Sequence, residues 1–66
     1  MSPKATIILT PNQVVQIVRH DASKDVEILR RGFRTTLDQE HYAEEIAEIF
    51  KELNIACQII EINHQQ

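Results

Sequence analysis

The segment from Thr36 to Asn54 most constrains the fold, because its apolar residues repeat with the period of an α-helix. Thr36 and Gln39 match a capping box, and Asp38 puts negative charge in the first turn. Asn54 is suited to end the helix, because asparagine tolerates the left-handed backbone conformation in which helices often terminate. We therefore predict an amphipathic helix of roughly 25 Å between these caps. Its apolar stripe contains Tyr42, Ala43, Ile46, Ile49, Phe50 and Leu53.

Four segments rich in β-branched and aliphatic residues predict strands around this helix. They are Lys4–Thr10, Val14–His20, Val26–Arg31 and Ile55–Ile62. The predicted fold is α+β, a single domain over residues 1–66 with the order β-β-β-α-β. The first three strands form an antiparallel meander, and the fourth runs parallel to the first and third, beside one of them. The helix packs on one face of this sheet, and residues 64–66 are expected to fray.

The turns predict the strand register. Pro11 favours a four-residue loop over a two-residue hairpin turn, which sets Leu9 opposite Val14. A five-residue connection at 21–25 then sets His20 opposite Val26. Gly32 is expected to take a backbone conformation that other residues resist, and Phe33 to reach into the core.

With this register, alternation assigns each strand residue to one of two sheet faces. The face away from the helix has an apolar centre rimmed by polar residues, as interaction surfaces do. We therefore expect this face to be buried against another protein, most simply a second copy. The predicted interface residues are Ile8, Val15, Ile17 and Leu29.

The size of the chain also favours association. A domain of 66 residues can be expected to gain roughly 3–5 kcal/mol of net stability from its core. Disulfides cannot add to it, because Cys57 is the only cysteine, and we expect it to be a small core residue. The N-terminus lacks a secretory signal and no segment has the ~20 apolar residues of a membrane helix, so we expect a cytoplasmic protein that does not bind membranes.

Charge is unevenly distributed along the chain. Residues 1–37 carry six basic and three acidic side chains, whereas residues 38–66 carry one basic and seven acidic ones. The basic half offers an alternative function, nucleic-acid or anion binding, because arginine matches phosphate geometry. The sheet lacks exposed aromatic pairs for base stacking, however, which disfavours this alternative. The arginines concerned are Arg19, Arg30, Arg31 and Arg34.

The acidic half has a ridge of glutamates spaced four residues apart along the predicted helix. A solvated helix face is the simpler interpretation, and the alternative is an inhibitor that presents this ridge to a nucleic-acid-binding enzyme. The ridge consists of Glu40, Glu44, Glu48 and Glu52.

Catalytic and cofactor chemistry find little support in the sequence. His20, His41, His64 and Cys57 lack metal-ligand spacing, and a single glycine excludes a glycine-rich phosphate loop. We predict no catalytic residues, no metal and no cofactor. The leading hypothesis is a small non-enzymatic regulatory module that binds another macromolecule and forms a homodimer.

Overall fold

The computed structural model describes residues 4–62, which contain four strands and one helix. The strands form one mixed sheet in the order β3-β2-β1-β4, in which β1 and β4 are parallel and the other neighbours antiparallel. The predicted α+β architecture is confirmed, and the fourth strand lies beside the first. The fraying expected at 64–66 falls outside the described residues. The elements are β1 (Ala5–Leu9), β2 (Val14–His20), β3 (Asp25–Gly32), α1 (Thr36–Glu52) and β4 (Cys57–Glu61).

The hydrophobic core lies between α1 and one face of the sheet. Its buried centre combines residues of β1, β2 and the middle of α1, and Phe33 and Cys57 pack against it as the sequence predicted. Phe33 stacks at a tilt on Tyr42, with 5.0 Å between ring centroids. The buried cluster is Ile7, Leu9, Val15, Ile17 and Ala43.

The first hairpin differs from the prediction by one residue. Leu9 lies opposite Val15, not Val14, because the loop has three residues instead of four. Thr10 and Val14 close this loop with a 3.0 Å backbone hydrogen bond, and Gln13 has a φ of 62°. A three-residue hairpin loop ends with one residue in this left-handed conformation. The left-handed conformation of Gln13 therefore allows the loop to close with three residues.

The second hairpin also departs from the expected register. His20 lies opposite Asp25, not Val26, and the pairing shifts by one residue between Ile17 and Val18. Ile28 is the extra residue on β3 at this bulge, since Ile17 pairs with Leu29 and Val18 with Glu27. Gly32 ends β3 without a positive φ, so the special conformation expected there is wrong.

These register changes overturn the predicted interface. A shift of one residue moves every side chain of a strand to the other face of the sheet. Val15 and Ile17 are consequently buried beneath α1, at 0% and 3% exposure, and Leu29 packs against the same core. Only Ile8 of the predicted interface residues lies on the face away from the helix.

The helix begins at Thr36 but is capped by Thr35. The Thr35 hydroxyl accepts a 3.0 Å hydrogen bond from the backbone N–H of Asp38, so the predicted capping box at Thr36 is wrong. Gln39, expected to complete that box, is buried instead. Its side-chain amide donates to the backbone carbonyls of Thr10 and Val14, at 2.9 and 3.0 Å. Gln39 thus ties the first turn of α1 to the β1–β2 loop.

The end of the helix is as predicted, but its apolar stripe is only partly covered. Asn54 has a φ of 61°, the left-handed conformation expected at this stop. Tyr42, Ile46 and Phe50 pack on the core, whereas Ile49 and Leu53 remain exposed. The sheet does not cover the whole stripe.

Candidate interaction surfaces

The sheet face away from α1, here called the outer face, carries a hydrogen-bonded chain of side chains. Asp25 Oδ1 lies 2.8 Å from His20 Nδ1, and His20 Nε2 lies 2.6 Å from the hydroxyl of Thr6. The Gln58 amide donates to that hydroxyl at 3.1 Å. An imidazole that donates from Nδ1 to the carboxylate accepts a hydrogen bond from the Thr6 hydroxyl at Nε2. The outer face includes Thr6, Ile8, Gln16, Val18, His20, Asp25, Glu27, Gln58 and Ile60.

The chain from Asp25 through His20 to Thr6 has the order of an acid, a base and a nucleophile. This arrangement was not predicted from the sequence, because the expected register put Asp25 in a loop and put Thr6 and His20 on opposite faces of the sheet. Thr6 is only 3% exposed, however, and its hydroxyl both faces the imidazole and accepts from Gln58. A substrate has little access to this oxygen. The arrangement is best explained as a polar network that satisfies its own hydrogen-bonding groups.

A second polar cluster lies next to this network and centres on Glu27. Its carboxylate accepts hydrogen bonds from Gln16 Nε2 at 2.6 Å and from Arg30 Nη2 at 2.8 Å. The hydrogen bond from Arg30 is the main reason why the pKa of Glu27 lies below its ordinary value, and the bond from Gln16 adds to the effect. The same pairing raises the pKa of Arg30. The outer face is therefore polar and internally paired around a few aliphatic side chains.

We expect Arg30→Gln to raise the pKa of Glu27 back toward its ordinary value. Because folding lowers this pKa, the pairing stabilises the chain above the unfolded-state pKa and is lost as the pH falls through the folded-state pKa. Carboxyl ¹³C chemical shifts measured against pH would report the change. Arg34→Gln, at an exposed arginine outside the pair, is the control and should leave the Glu27 titration unchanged. An unchanged titration in Arg30→Gln would contradict the pairing.

The four arginines do not form one patch. Arg19 pairs with Asp21 at 2.9 Å, and Arg30 pairs with Glu27 at 2.8 Å. Arg31 lies on the helix side, with its guanidinium 5.0 Å from the Phe33 ring centre and 5.3 Å from that of Tyr42. Arg30 and Arg31 lie on opposite faces of the sheet, since Arg30 is the partner of Gln16 and Arg31 is the partner of Val15. Three of the four arginines are thus engaged within the fold.

The glutamate ridge on α1 faces solvent. Glu44, Glu48 and Glu52 are exposed and Glu40 is half-buried. This arrangement is compatible with a solvated helix face and with the inhibitor hypothesis, which stays a prediction. Within residues 4–62, no three His, Cys, Asp or Glu side chains converge as metal ligands would. No helix in this part of the chain is both long and apolar enough to cross a membrane.

The free edge of β4 is the feature most suited to binding a partner. Among the residues that the structure describes, β4 is the last strand of the sheet and pairs with β1 on one side only. Hydrogen bonds from Ala5 to Ala56 O and from Ile62 N to Leu9 O fix which of its backbone groups face β1. By alternation, the N–H and C=O groups of Cys57, Ile59 and Glu61 point outward, where another strand could pair with them.

Aliphatic side chains surround these free backbone groups. Ile59 lies on the helix side of β4, 45% exposed, and Ile60 lies on the outer face, 42% exposed. Ile62 just beyond the strand is 47% exposed. A groove beside Ile59 runs between β4 and the C-terminal half of α1, and its lining includes Ala47, Glu48, Lys51 and Cys57.

The opposite edge strand, β3, is protected against pairing. The bulge at Ile28 interrupts its regular backbone, and four charged side chains follow one another closely along it. Bulges and charges are the usual means by which edge strands avoid association. β4, by contrast, carries one charged residue, Glu61, within its five residues. The two edges therefore differ in their readiness to accept another strand.

Comparison of the chain with models of known protein families, with curated proteins and with solved structures gives no match.

Proposed function

We propose that this chain is a small, non-enzymatic protein-interaction module that binds an extended segment of a partner along the free edge of β4. The observation that carries the proposal is an edge strand whose outward backbone groups have no partner within residues 4–62 and which has exposed isoleucines on both of its faces. Strand addition of this kind draws affinity from main-chain hydrogen bonds and specificity from alternate side chains. The same proposal includes a regulatory role and a cytoplasmic location. The lone cysteine, Cys57, fits the reducing cytoplasm, where disulfides are rare.

The proposed binding surface is the edge of β4 and not the sheet face that the sequence predicted. The outer face satisfies its polar groups internally, through the networks around His20 and Glu27. A partner bound there would gain little from groups that are already paired and would remove water from the exposed Glu27–Arg30 ion pair, which costs free energy. The backbone groups of Cys57, Ile59 and Glu61 instead gain hydrogen bonds when a strand is added.

Replacing Ile59 with lysine should abolish partner binding and preserve the fold. An exposed lysine on an edge strand prevents strand addition, and Ile59 contributes little to the buried core. Tagged wild type and tagged Ile59→Lys would each be incubated with lysate of the native host, with and without nuclease, and the captured proteins would be quantified by mass spectrometry. We expect the specific partners to fall at least about tenfold in Ile59→Lys.

Ile28→Lys is the matched control, because Ile28 is an isoleucine of similar exposure on the opposite edge strand. It should capture the same partners as the wild type. Equal capture by Ile59→Lys and wild type would contradict binding at β4. Binding that disappears with nuclease and with Arg19, Arg30 and Arg34 replaced together would instead support the nucleic-acid alternative.

A further inference from the structure

We infer that the β4 edge binds a second copy of this chain, with the two β4 strands antiparallel about a twofold axis at Ile59. This inference rests on the proposed function and names the occupant of its binding edge. It follows from the positions of the free backbone groups, from the side chains beside them, and from the charges that the pairing would bring together. Together the two copies would form a continuous eight-stranded sheet.

The free backbone groups of β4 are spaced for self-pairing. Cys57, Ile59 and Glu61 present outward-facing N–H and C=O groups at every second residue. In an antiparallel pair, such residues exchange two hydrogen bonds with the residue directly opposite. A twofold axis at Ile59 sets Ile59 opposite Ile59 of the second copy, and Cys57 opposite Glu61. The six resulting hydrogen bonds satisfy every outward-facing group of both strands.

The same register buries the exposed side chains of β4. On the helix side, the two Ile59 side chains meet across the axis and close the ends of the two grooves beside α1. On the outer face, Ile60 lies beside Gln58 of the second copy, and Ile62 lies beside Ala56. Isoleucines that are nearly half exposed in one copy therefore gain apolar neighbours.

Charge complementarity favours this register. Glu61 lies on the helix side of β4, since it is the partner of Leu9. Lys51 lines the groove together with Cys57, and the pairing places Glu61 of the second copy opposite Cys57. Lys51 of each copy would therefore lie near Glu61 of the other copy, which gives two such pairs in each dimer. Lys51 is the only basic residue between Thr36 and Gln66 apart from histidines, so this match is specific to one place on the helix.

The test exchanges these two charges. Lys51→Glu and Glu61→Lys each set like charges against one another in a homodimer, whereas a mixture of the two variants restores opposite charges at both sites. Both residues are exposed, so the fold of each chain should persist. We expect the wild type to form dimers as concentration rises from about 1 μM to about 1 mM in sedimentation velocity, because a short strand pair is a small interface.

Each single variant should dimerise at least about fivefold more weakly than the wild type, and their equimolar mixture should recover wild-type affinity. The double variant Lys51→Glu/Glu61→Lys should also recover it. Backbone amides of Cys57, Ile59 and Glu61 should exchange hydrogen more slowly as concentration rises. A wild type that stays monomeric up to about 1 mM, or a mixture no better than either variant alone, would overturn the second copy as occupant. In that case, lysate proteins whose capture depends on Ile59 would still support an interaction module that binds at β4. If no captured protein depends on Ile59 either, both the interaction module and the dimer are rejected.

Discussion

Ile17→Glu is expected to unfold the chain. Ile17 is 3% exposed at the centre of β2, where it lies between Ile7 of β1 and Leu29 of β3. A carboxylate at this position would be buried without a cationic partner, at a cost of several kcal/mol. That cost is comparable to the roughly 3–5 kcal/mol of net stability of a domain this small. Far-UV circular dichroism and the dispersion of amide NMR signals would report the loss of structure.

Ile28→Glu is the matched control for this substitution. It introduces the same charge into the neighbouring strand, but Ile28 is 52% exposed at the β3 bulge. The control should fold like the wild type. If Ile17→Glu also folds and only its assembly changes, then Ile17 faces away from the helix. The pairing of Leu9 with Val15, which sets the register of the first hairpin, would then be incorrect.

The elements of the fold were predictable from the sequence because their periodicity is strong. The helical repeat through Ala43, Ile46 and Phe50 and the runs of β-branched residues identify one helix and four strands in the correct order. The register was not predictable, because it depends on Gln13 adopting a left-handed conformation. Glutamine has no special preference for that conformation, so no residue in the loop distinguishes three residues from four.

Because the predicted register was wrong, most of the predicted interface residues were assigned to the wrong face of the sheet. Val15 and Ile17 are as apolar as interface residues should be, and composition alone cannot tell a residue covered by α1 from one covered by a partner. Isoleucines on both faces of β4 were predictable from the sequence, because Ile59 and Ile60 are adjacent and successive strand residues face opposite ways. Their position on a free edge was not, because that depends on whether β4 pairs with β1 or with β3.

Gln39→Leu is expected to lower the free energy of unfolding by about 2 kcal/mol, since it removes two buried hydrogen bonds while keeping a similar volume. Those bonds join α1 to Thr10 and Val14, the two residues that close the first hairpin loop. Urea denaturation followed by circular dichroism would measure the change in the unfolding midpoint. The lost hydrogen bonds hold the β1–β2 loop, so we expect the loop to open more often. Amide hydrogen exchange should therefore accelerate more at Gln13 and Val14 than in β3.

Gln58→Leu is the control, because it removes one hydrogen bond from an exposed glutamine on the outer face and should cost less than about 1 kcal/mol. Gln39→Glu should be more destabilising than Gln39→Leu, since a buried carboxylate cannot donate to the carbonyls of Thr10 and Val14 and repels them. If Gln39→Leu unfolds at the wild-type urea concentration, apolar packing alone holds α1 on the hairpin. The three-residue loop, and with it the burial of Val15 and Ile17, would then be fixed by the core and not by this glutamine.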